Sequence, residues 1–257
     1  MIVMTITLLE FFFGLLLLAV PAVLIYVFRL PLQPRFFRCV GRFLVTMAVA
    51  GGAMYGVELV NSVWLNIVVF LLLTLLSALF AVGKARVGQR RILLPVFVGL
   101  LVPTLLVVLY VGFLVLGQQR LFDASLLLPL AGLTAGASMG CNARALSTYY
   151  MGLEHHGALY YYLLGNGATH SEALRYFVKR SLQASLLPVL KEMGTIMTSV
   201  CPVLFWMSLL SGMQPLTAAA LQVILVAAMA AVSSGSLVLT LFLARRYSFD
   251  GYGRLKK

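Results

Sequence analysis

Long apolar stretches alternate with short polar segments along this chain, and they constrain its fold more than any other feature. About 20 apolar residues in a helix cross the hydrocarbon core of a bilayer, and a helix satisfies its own backbone hydrogen bonds there. The sequence therefore predicts an all-α, polytopic integral membrane protein with one integral membrane domain over residues 1–257. About seven transmembrane helices are expected, at residues 6–28, 40–59, 63–82, 92–116, 126–150, 193–211 and 217–244.

Composition supports a membrane protein and argues against nucleic acid as a partner. Hydrophobic residues make up 62% of the chain and charged residues only 10%, which leaves too little polar surface for a water-soluble domain. The formal net charge is +12, but the basic residues sit at the ends of apolar stretches, beside the expected lipid headgroups. We therefore expect these basic residues to contact the lipid bilayer and not nucleic acid.

The distribution of Lys and Arg predicts the orientation of the chain. Basic residues crowd the loops at 29–42, 84–91 and 144–191 and the C-terminal tail, whereas the loops expected on the other side hold only Arg120. Cytoplasmic loops carry the excess of positive charge. We therefore expect a multi-pass membrane protein with its N-terminus outside and its C-terminus in the cytoplasm. The region at about 151–190 is then cytoplasmic.

Within that region, residues 165–188 predict a glycine-rich turn followed by a short helix with two faces. Thr169 or Ser171 is a candidate N-cap. Helical spacing places an apolar set on one side and a polar set on the other. The apolar set is Leu174, Phe177, Val178 and Leu182, and the polar set is Glu172, Arg175, Lys179 and Gln183. Such a helix fits either a cytoplasmic partner or a simple interfacial anchor.

No sequence motif for catalysis or nucleotide binding is present. The chain contains no GxxxxGK[ST] loop, no HExxH and no GxSxG, so we expect no enzyme activity and no cofactor in this chain itself. Glu154, His155 and His156 form a possible metal cluster. Adjacent helical histidines point about 100° apart, which favours a solvated cluster and leaves metal binding open. We expect His170 to be a surface residue beside the turn.

The fifth apolar stretch carries the candidate translocation path. Ser138, Met139 and Asn142 are its polar or soft side chains, and they lie beside glycines at four-residue spacing. These glycines, which allow another helix to approach closely, are Gly132, Gly136 and Gly140. Ionisable residues are almost absent from the apolar stretches, which argues against a transporter driven by protons.

Several segments together resemble one family, the FetB-type permeases of iron-export ABC transporters, to which plant aluminium-sensitivity permeases are related. The matching segments are Val40-Gly41-Arg42, Pro129-Leu130-Ala131-Gly132 with Ala135-Gly136 and Met139, Gly167-Ala168-Thr169 with Ala173, Arg180-Ser181-Leu182 with Ala184 and Leu187-Pro188, and Pro215 with Gln222. Their order along the chain is more specific than any one of them.

The resemblance implies a location in a bacterial inner membrane and a role for the cytoplasmic helix as a coupling helix. In such transporters this helix rests in a groove of a separate ATPase, which carries ATP and Mg, and two permease copies form a homodimer. The cargo implied is a metal ion such as iron. The coupling residues implied here are Gly167, Ala168, Thr169, Glu172, Arg175 and Lys179.

Two other functions fit the same residues. One is a membrane scaffold or sensor that binds a cytoplasmic partner and transports nothing. The other is an ABC permease for a small organic solute, which keeps the architecture and changes only the cargo.

Overall fold

A computed structural model describes residues 8–28, 33–85, 92–117, 122–195 and 203–249. In those residues the chain is helical throughout, apart from short turns and loops. The helices are α1 (Leu8–Leu16), α2 (Ala19–Val27), α3 (Gln33–Val60), α4 (Val63–Ala85), α5 (Leu93–Tyr110), α6 (Ala124–His155), α7 (Gly157–Gly165), α8 (His170–Gly194), α9 (Val203–Leu210) and α10 (Pro215–Ser248). A π-helical turn, Val111–Val115, extends α5.

Five of the described helices are long and apolar enough to cross a membrane, which confirms the all-α membrane fold. They are α3, α4, α5 with its π turn, α6 and α10. Each contains most of one expected apolar stretch, and α3, α6 and α10 run several residues beyond the predicted ends.

The first expected stretch, 6–28, forms two short helices in place of one. α1 ends at Leu16 and α2 begins at Ala19. Pro21 explains the interruption, because a proline ring clashes with the carbonyl four residues earlier, here that of Leu17. Residues 6 and 7 lie outside the described residues.

The sixth expected stretch, 193–211, is described only in part. Residues 196–202, with Cys201 and Pro202, lie outside the described residues, and α9 covers the eight residues after them. Arg120 and the basic residues of the tail beyond residue 249 also lie outside them.

α8 is longer than the short helix that the sequence predicts. It continues through Pro188 and ends at Gly194, so it has 25 residues. Its C-terminal half belongs to the helical bundle, because Ser185 contacts Cys141 in the middle of α6. The boundary predicted between a cytoplasmic region ending near 190 and a membrane stretch starting at 193 is therefore not visible as a break in the helix.

The packed core lies between α4, α5, α6 and α10, with α8 added at one end. Two clusters of buried apolar side chains fill it, one at each end of the bundle. We call the end with Lys84, Arg144 and Arg245 the basic end. α2 and α3 contain no buried residue among those described, and α3 contacts one of the clusters through the half-buried Met54 and Val57.

At the opposite end, two asparagines join the start of α4 to the start of α6. The Asn66 side-chain amide donates to the Phe122 carbonyl at 2.7 Å and to the Asn61 side-chain oxygen at 3.2 Å. The same Asn61 oxygen accepts from the Ala124 backbone N–H at 3.1 Å. α4 and α6 therefore start at the same level and run in the same direction.

The closest helix packing uses a different glycine from those predicted. A Cβ on Gly99 of α5 would clash with the Thr240 hydroxyl and would lie 2.9 Å from the Thr240 backbone on α10. Gly132, Gly136 and Gly140 are open, because no described atom lies within 4 Å of a Cβ placed on any of them. We call these three the open glycine ridge; within the described residues no helix uses it.

Replacement of Gly99 tests the contact between α5 and α10. We expect Gly99→Ala to lower the unfolding temperature of the purified protein, because overpacking typically costs about 1–3 kcal/mol. Gly83→Ala on α4 is the matched control, since a Cβ there meets nothing within 4 Å. Equal unfolding temperatures for the two variants would show that the α5–α10 contact is looser than described.

Candidate functional site

The turn between α7 and α8 is fixed by backbone hydrogen bonds. The Gly167 N–H donates to the Leu164 carbonyl and the Ala168 N–H to the Leu163 carbonyl, both at 3.1 Å. This pair of bonds is the Schellman motif, which ends a helix with a residue in the left-handed region. Gly167 is that residue, with φ of +86°, where a side chain would be strained.

Two residues after Gly167, Thr169 starts α8 with a reciprocal cap. The Thr169 hydroxyl accepts from the Glu172 backbone N–H at 3.4 Å, and the Glu172 carboxylate accepts from the Thr169 N–H at 2.8 Å. This capping box confirms Thr169, not Ser171, as the N-cap. The hydrogen bond from the Thr169 hydroxyl to the Glu172 carboxylate, followed by that from the backbone N–H, lowers the pKa of Glu172.

The apolar face of α8 packs on the bundle. Leu174 and Phe177 are buried, and Val178 and Leu182 pack against the same core cluster. Phe177 lies against Gly152, where a Cβ on the glycine would be 3.2 Å from the ring. Farther along, the Cys141 thiol donates to the Ser185 carbonyl at 3.3 Å. The turn is therefore attached to α6 through a continuous contact.

The polar face of α8 is free of contacts with the core. Glu172, Arg175 and Lys179 are exposed, and so are Gly167 and Thr169 in the turn, while Ala168 is half-buried. A broad groove of about 810 Å³ runs along α8 from the basic residues to exposed leucines. It is lined by Arg175, Val178, Lys179, Leu182, Gln183, Leu186, Leu187 and Leu190. The six predicted coupling residues therefore occupy the turn before α8 and the first ten residues of that helix.

His170 differs from its predicted place at the surface. It is half-buried, its Nδ1 lies 2.9 Å from the Tyr160 hydroxyl oxygen, and its ring packs edge-on against Phe249. Burial, with the positive charge of Arg245, lowers the pKa of His170. The first residue of α8 is therefore tied both to α7 and to the end of α10. The tyrosine run at 160–162 carries no signal of this contact in the sequence, because adjacent tyrosines near the end of a membrane stretch are equally typical of side chains at the lipid headgroups.

Two of the three predicted path residues lie in a sealed interface between α6 and α10. Ser138 and Asn142 are fully buried, whereas Met139 is half-buried against the core. The Asn142 side-chain amide donates to the Ser236 hydroxyl at 2.7 Å and to the Ser138 carbonyl at 3.0 Å. The structure thus adds Ser236 to the predicted pair.

Several polar atoms near this interface are buried without a hydrogen-bond partner. They include the Asn142 side-chain oxygen and the hydroxyls of Thr104, Thr240 and Ser185. An unsatisfied buried polar group costs about 1–3 kcal/mol, so such groups mark places where another arrangement, a water or a ligand would be favourable. These four atoms are spread over α5, α6, α8 and α10.

A cavity of about 180 Å³ opens beside Ser233 between α6, α8 and α10. Its polar and soft lining comes from Arg144, Glu192, Met193, Met229 and Ser233. Sequence reasoning missed Glu192 because it falls at the edge of the predicted sixth stretch, and only the unbroken α8 carries it beside α6.

The predicted cluster of Glu154, His155 and His156 is not arranged as a metal site in the structure. His155 and His156 are exposed, and the His155 Nδ1 lies 2.9 Å from the Met151 carbonyl oxygen of its own helix. No group of three or more His, Cys, Asp or Glu side chains comes together in the part of the chain that the structure describes.

Loss of the cap tests the rigidity of the turn. We expect Thr169→Ala to destabilise the start of α8 by about 1 kcal/mol and so to speed hydrogen exchange of the amides in its first turn about five-fold. Ser171→Ala is the matched control, because its side chain does not cap the helix. Unchanged exchange in Thr169→Ala would mean that the capping box does not hold this turn.

Comparison with known proteins assigns the chain to a family. The sequence profile of the uncharacterised protein family UPF0014 matches residues 8–249, a range that includes every helix from α1 to α10. No curated protein and no solved structure matches the chain. The family match favours a membrane permease component of an ABC transporter. With nearly its whole length matched, the chain belongs to the UPF0014 family.

Proposed function

We propose that this chain is the permease subunit of an ABC transporter and is driven by a separate ATPase. The observation that carries the proposal is the turn Gly167–Thr169, which is exposed, rigidly capped and joined to the bundle through α8. The family match over residues 8–249 supports it. ATP and Mg bind to the partner subunit, and this chain supplies no catalytic residue.

The contacts of α8 provide a mechanical route for coupling. A push on the turn moves Phe177 against Gly152 and Ser185 against Cys141, so the force reaches the basic half and then the middle of α6. Arg175 and Lys179 project from the free face of the same helix and set its register in a groove of the ATPase. The tie from His170 to Phe249 extends the movement to α10.

In this proposal the basic end faces the cytoplasm of a bacterial cell and the N-terminus lies outside. Lys84, Arg144, Arg245 and Arg246 gather at that end, as the excess of positive charge on cytoplasmic segments requires. The turn Gly167–Thr169 lies at the same end, where a soluble ATPase reaches it.

Two copies of the chain form the transporter. ABC transporters need two membrane halves, and this chain supplies one. The unburied α3 and the open glycine ridge of α6 are surfaces that a second copy has room to cover. Small residues on such surfaces allow close approach of helices.

Cargo passes along the interface of α6 with α10. Rotation of the two helices would expose Ser138, Asn142 and Ser236 to the cargo. The side-chain oxygen of Asn142, which has no hydrogen-bond partner in the closed interface, could then bind the cargo. Met139 lies one residue from Ser138, and the cavity beside Ser233 adds Glu192 and two methionines. We propose export of a metal ion such as iron. A small organic solute is the second candidate for the cargo, and the lack of a His/Cys/Asp/Glu cluster among the described residues favours it.

Purification from native membranes followed by reconstitution tests this function. We expect the chain to bring down an ATPase and to give ATP-dependent flux in liposomes, with metal ions and organic solutes compared in one assay. Arg175→Glu and Gly167→Trp should each reduce ATPase recovery and flux about ten-fold. The first reverses a charge on the exposed face of α8 and the second adds a bulky side chain to the turn, and each change disrupts the contact with the ATPase groove.

Arg246→Glu, at an exposed position of α10 outside both the coupling set and the proposed dimer surfaces, is the matched control and should keep both activities. ATPase recovery unchanged in Arg175→Glu and Gly167→Trp would refute the coupling assignment. ATPase binding without flux of any cargo would identify a scaffold or sensor instead of a permease.

A further inference from the structure

A third pocket, away from the α7–α8 turn, lies between α4, α6 and α8 at the basic end. Its volume is about 240 Å³. Four polar side chains line it, those of Lys84, Arg144, Ser147 and Thr148, together with the small residues Ala143 and Ala184. We call it the Lys84 pocket. None of its residues belongs to the proposed coupling set.

The sequence spacing on α6 explains why these side chains meet. Arg144, Ser147 and Thr148 stand at i, i+3 and i+4, so they share one face of the helix. Lys84 reaches them from the last turn of α4. Ala143 and Ala184 are small, which leaves room between α6 and α8.

The depth of the pocket matches the headgroup layer of a bilayer. α4 and α6 start together, because Asn61 and Asn66 join Ala124 and Phe122. From these joined ends, Lys84 and Arg144 lie about 20 residues along their helices, or about 30 Å. That length equals the thickness of the hydrocarbon core, so both cations arrive where lipid phosphates lie.

The chemistry of the pocket fits a phosphate group. Lys84 and Arg144 supply two positive charges, and the hydroxyls of Ser147 and Thr148 supply neutral donors. Among the described residues, no acidic side chain lines the pocket itself; Arg144 also lines the cavity beside Ser233, which holds Glu192. A charged donor on a phosphate oxygen makes a stronger hydrogen bond than a neutral pair does. Basic pockets between membrane helices bind anionic lipid headgroups in this way.

We propose that the Lys84 pocket binds a phosphate group, with an anionic phospholipid of the surrounding leaflet as one source and a free phosphate as the other. A bound headgroup bridges α4, α6 and α8, so it stabilises the seat of the coupling helix. The site follows from the packing at the basic end and holds whether or not the chain is driven by an ATPase.

Native mass spectrometry of the purified full chain tests this site. Protein in micelles that contain equal amounts of phosphatidylglycerol and phosphatidylcholine should retain phosphatidylglycerol in preference. Lys84→Gln and the double variant Ser147→Ala/Thr148→Ala should each lower that retention about five-fold. Lys84→Arg should retain it. Arg42→Gln, which removes a cation from the exposed surface of α3, should also bind as the wild type does.

A titration with inorganic phosphate separates the two sources. A rise in unfolding temperature with phosphate, lost in Lys84→Gln and unaccompanied by selective retention of phosphatidylglycerol, would assign the pocket to a soluble phosphate compound. Retention that phosphate does not displace would assign it to lipid. Unfolding temperatures without added ligand show whether each variant is folded. Wild-type retention in both Lys84→Gln and the double variant, with no phosphate-dependent shift, would overturn the proposal.

Discussion

The contact between α8 and α6 is the interaction on which the proposed function depends. α8 would be a loose surface helix without the seat of Phe177 on Gly152 and the bond from Cys141 to Ser185. With them, an exposed turn of three residues is rigidly connected to the buried middle of the bundle. The hydrogen bonds of the Schellman motif and of the capping box fix the backbone at the two ends of that turn. Rigid ends matter because a flexible turn would absorb a push from a partner instead of transmitting it.

Elementary constraints in the sequence predict much of this arrangement. A bilayer demands helices, and the apolar stretches are long enough to supply them. A helical period separates Leu174 and Phe177 from Arg175 and Lys179, so the two faces of α8 follow from spacing alone. The cap at Thr169 follows from the preference of hydroxyls for free backbone N–H groups, and Gly167 from the conformation that only glycine adopts easily.

Other features depend on contacts between residues far apart in the sequence, which local patterns do not encode. The open glycine ridge and Gly99 look alike as small residues, yet only Gly99 meets another helix, because that depends on the position of Thr240. Pro188 suggests the end of a helix, but α8 continues through it because packing on α6 holds both halves. Asn142 is polar enough to suggest a translocation path, but only the fold shows that its amide is hydrogen-bonded to Ser236 in a closed helix interface. The place of His170 against Phe249, almost 80 residues later, is of the same kind.

Site-directed photo-cross-linking in native membranes tests most directly whether the start of α8 contacts an ATPase. A photoreactive side chain at Ser171 lies beside the exposed turn, and one at Leu216 lies at the exposed start of α10. A second label, a photoreactive ATP analogue, marks any partner that binds nucleotide. We expect an ATP-labelled adduct from position 171 and none from position 216. Adducts without the ATP label at position 171, or equal yields from both positions, would contradict the proposed contact between α8 and an ATPase.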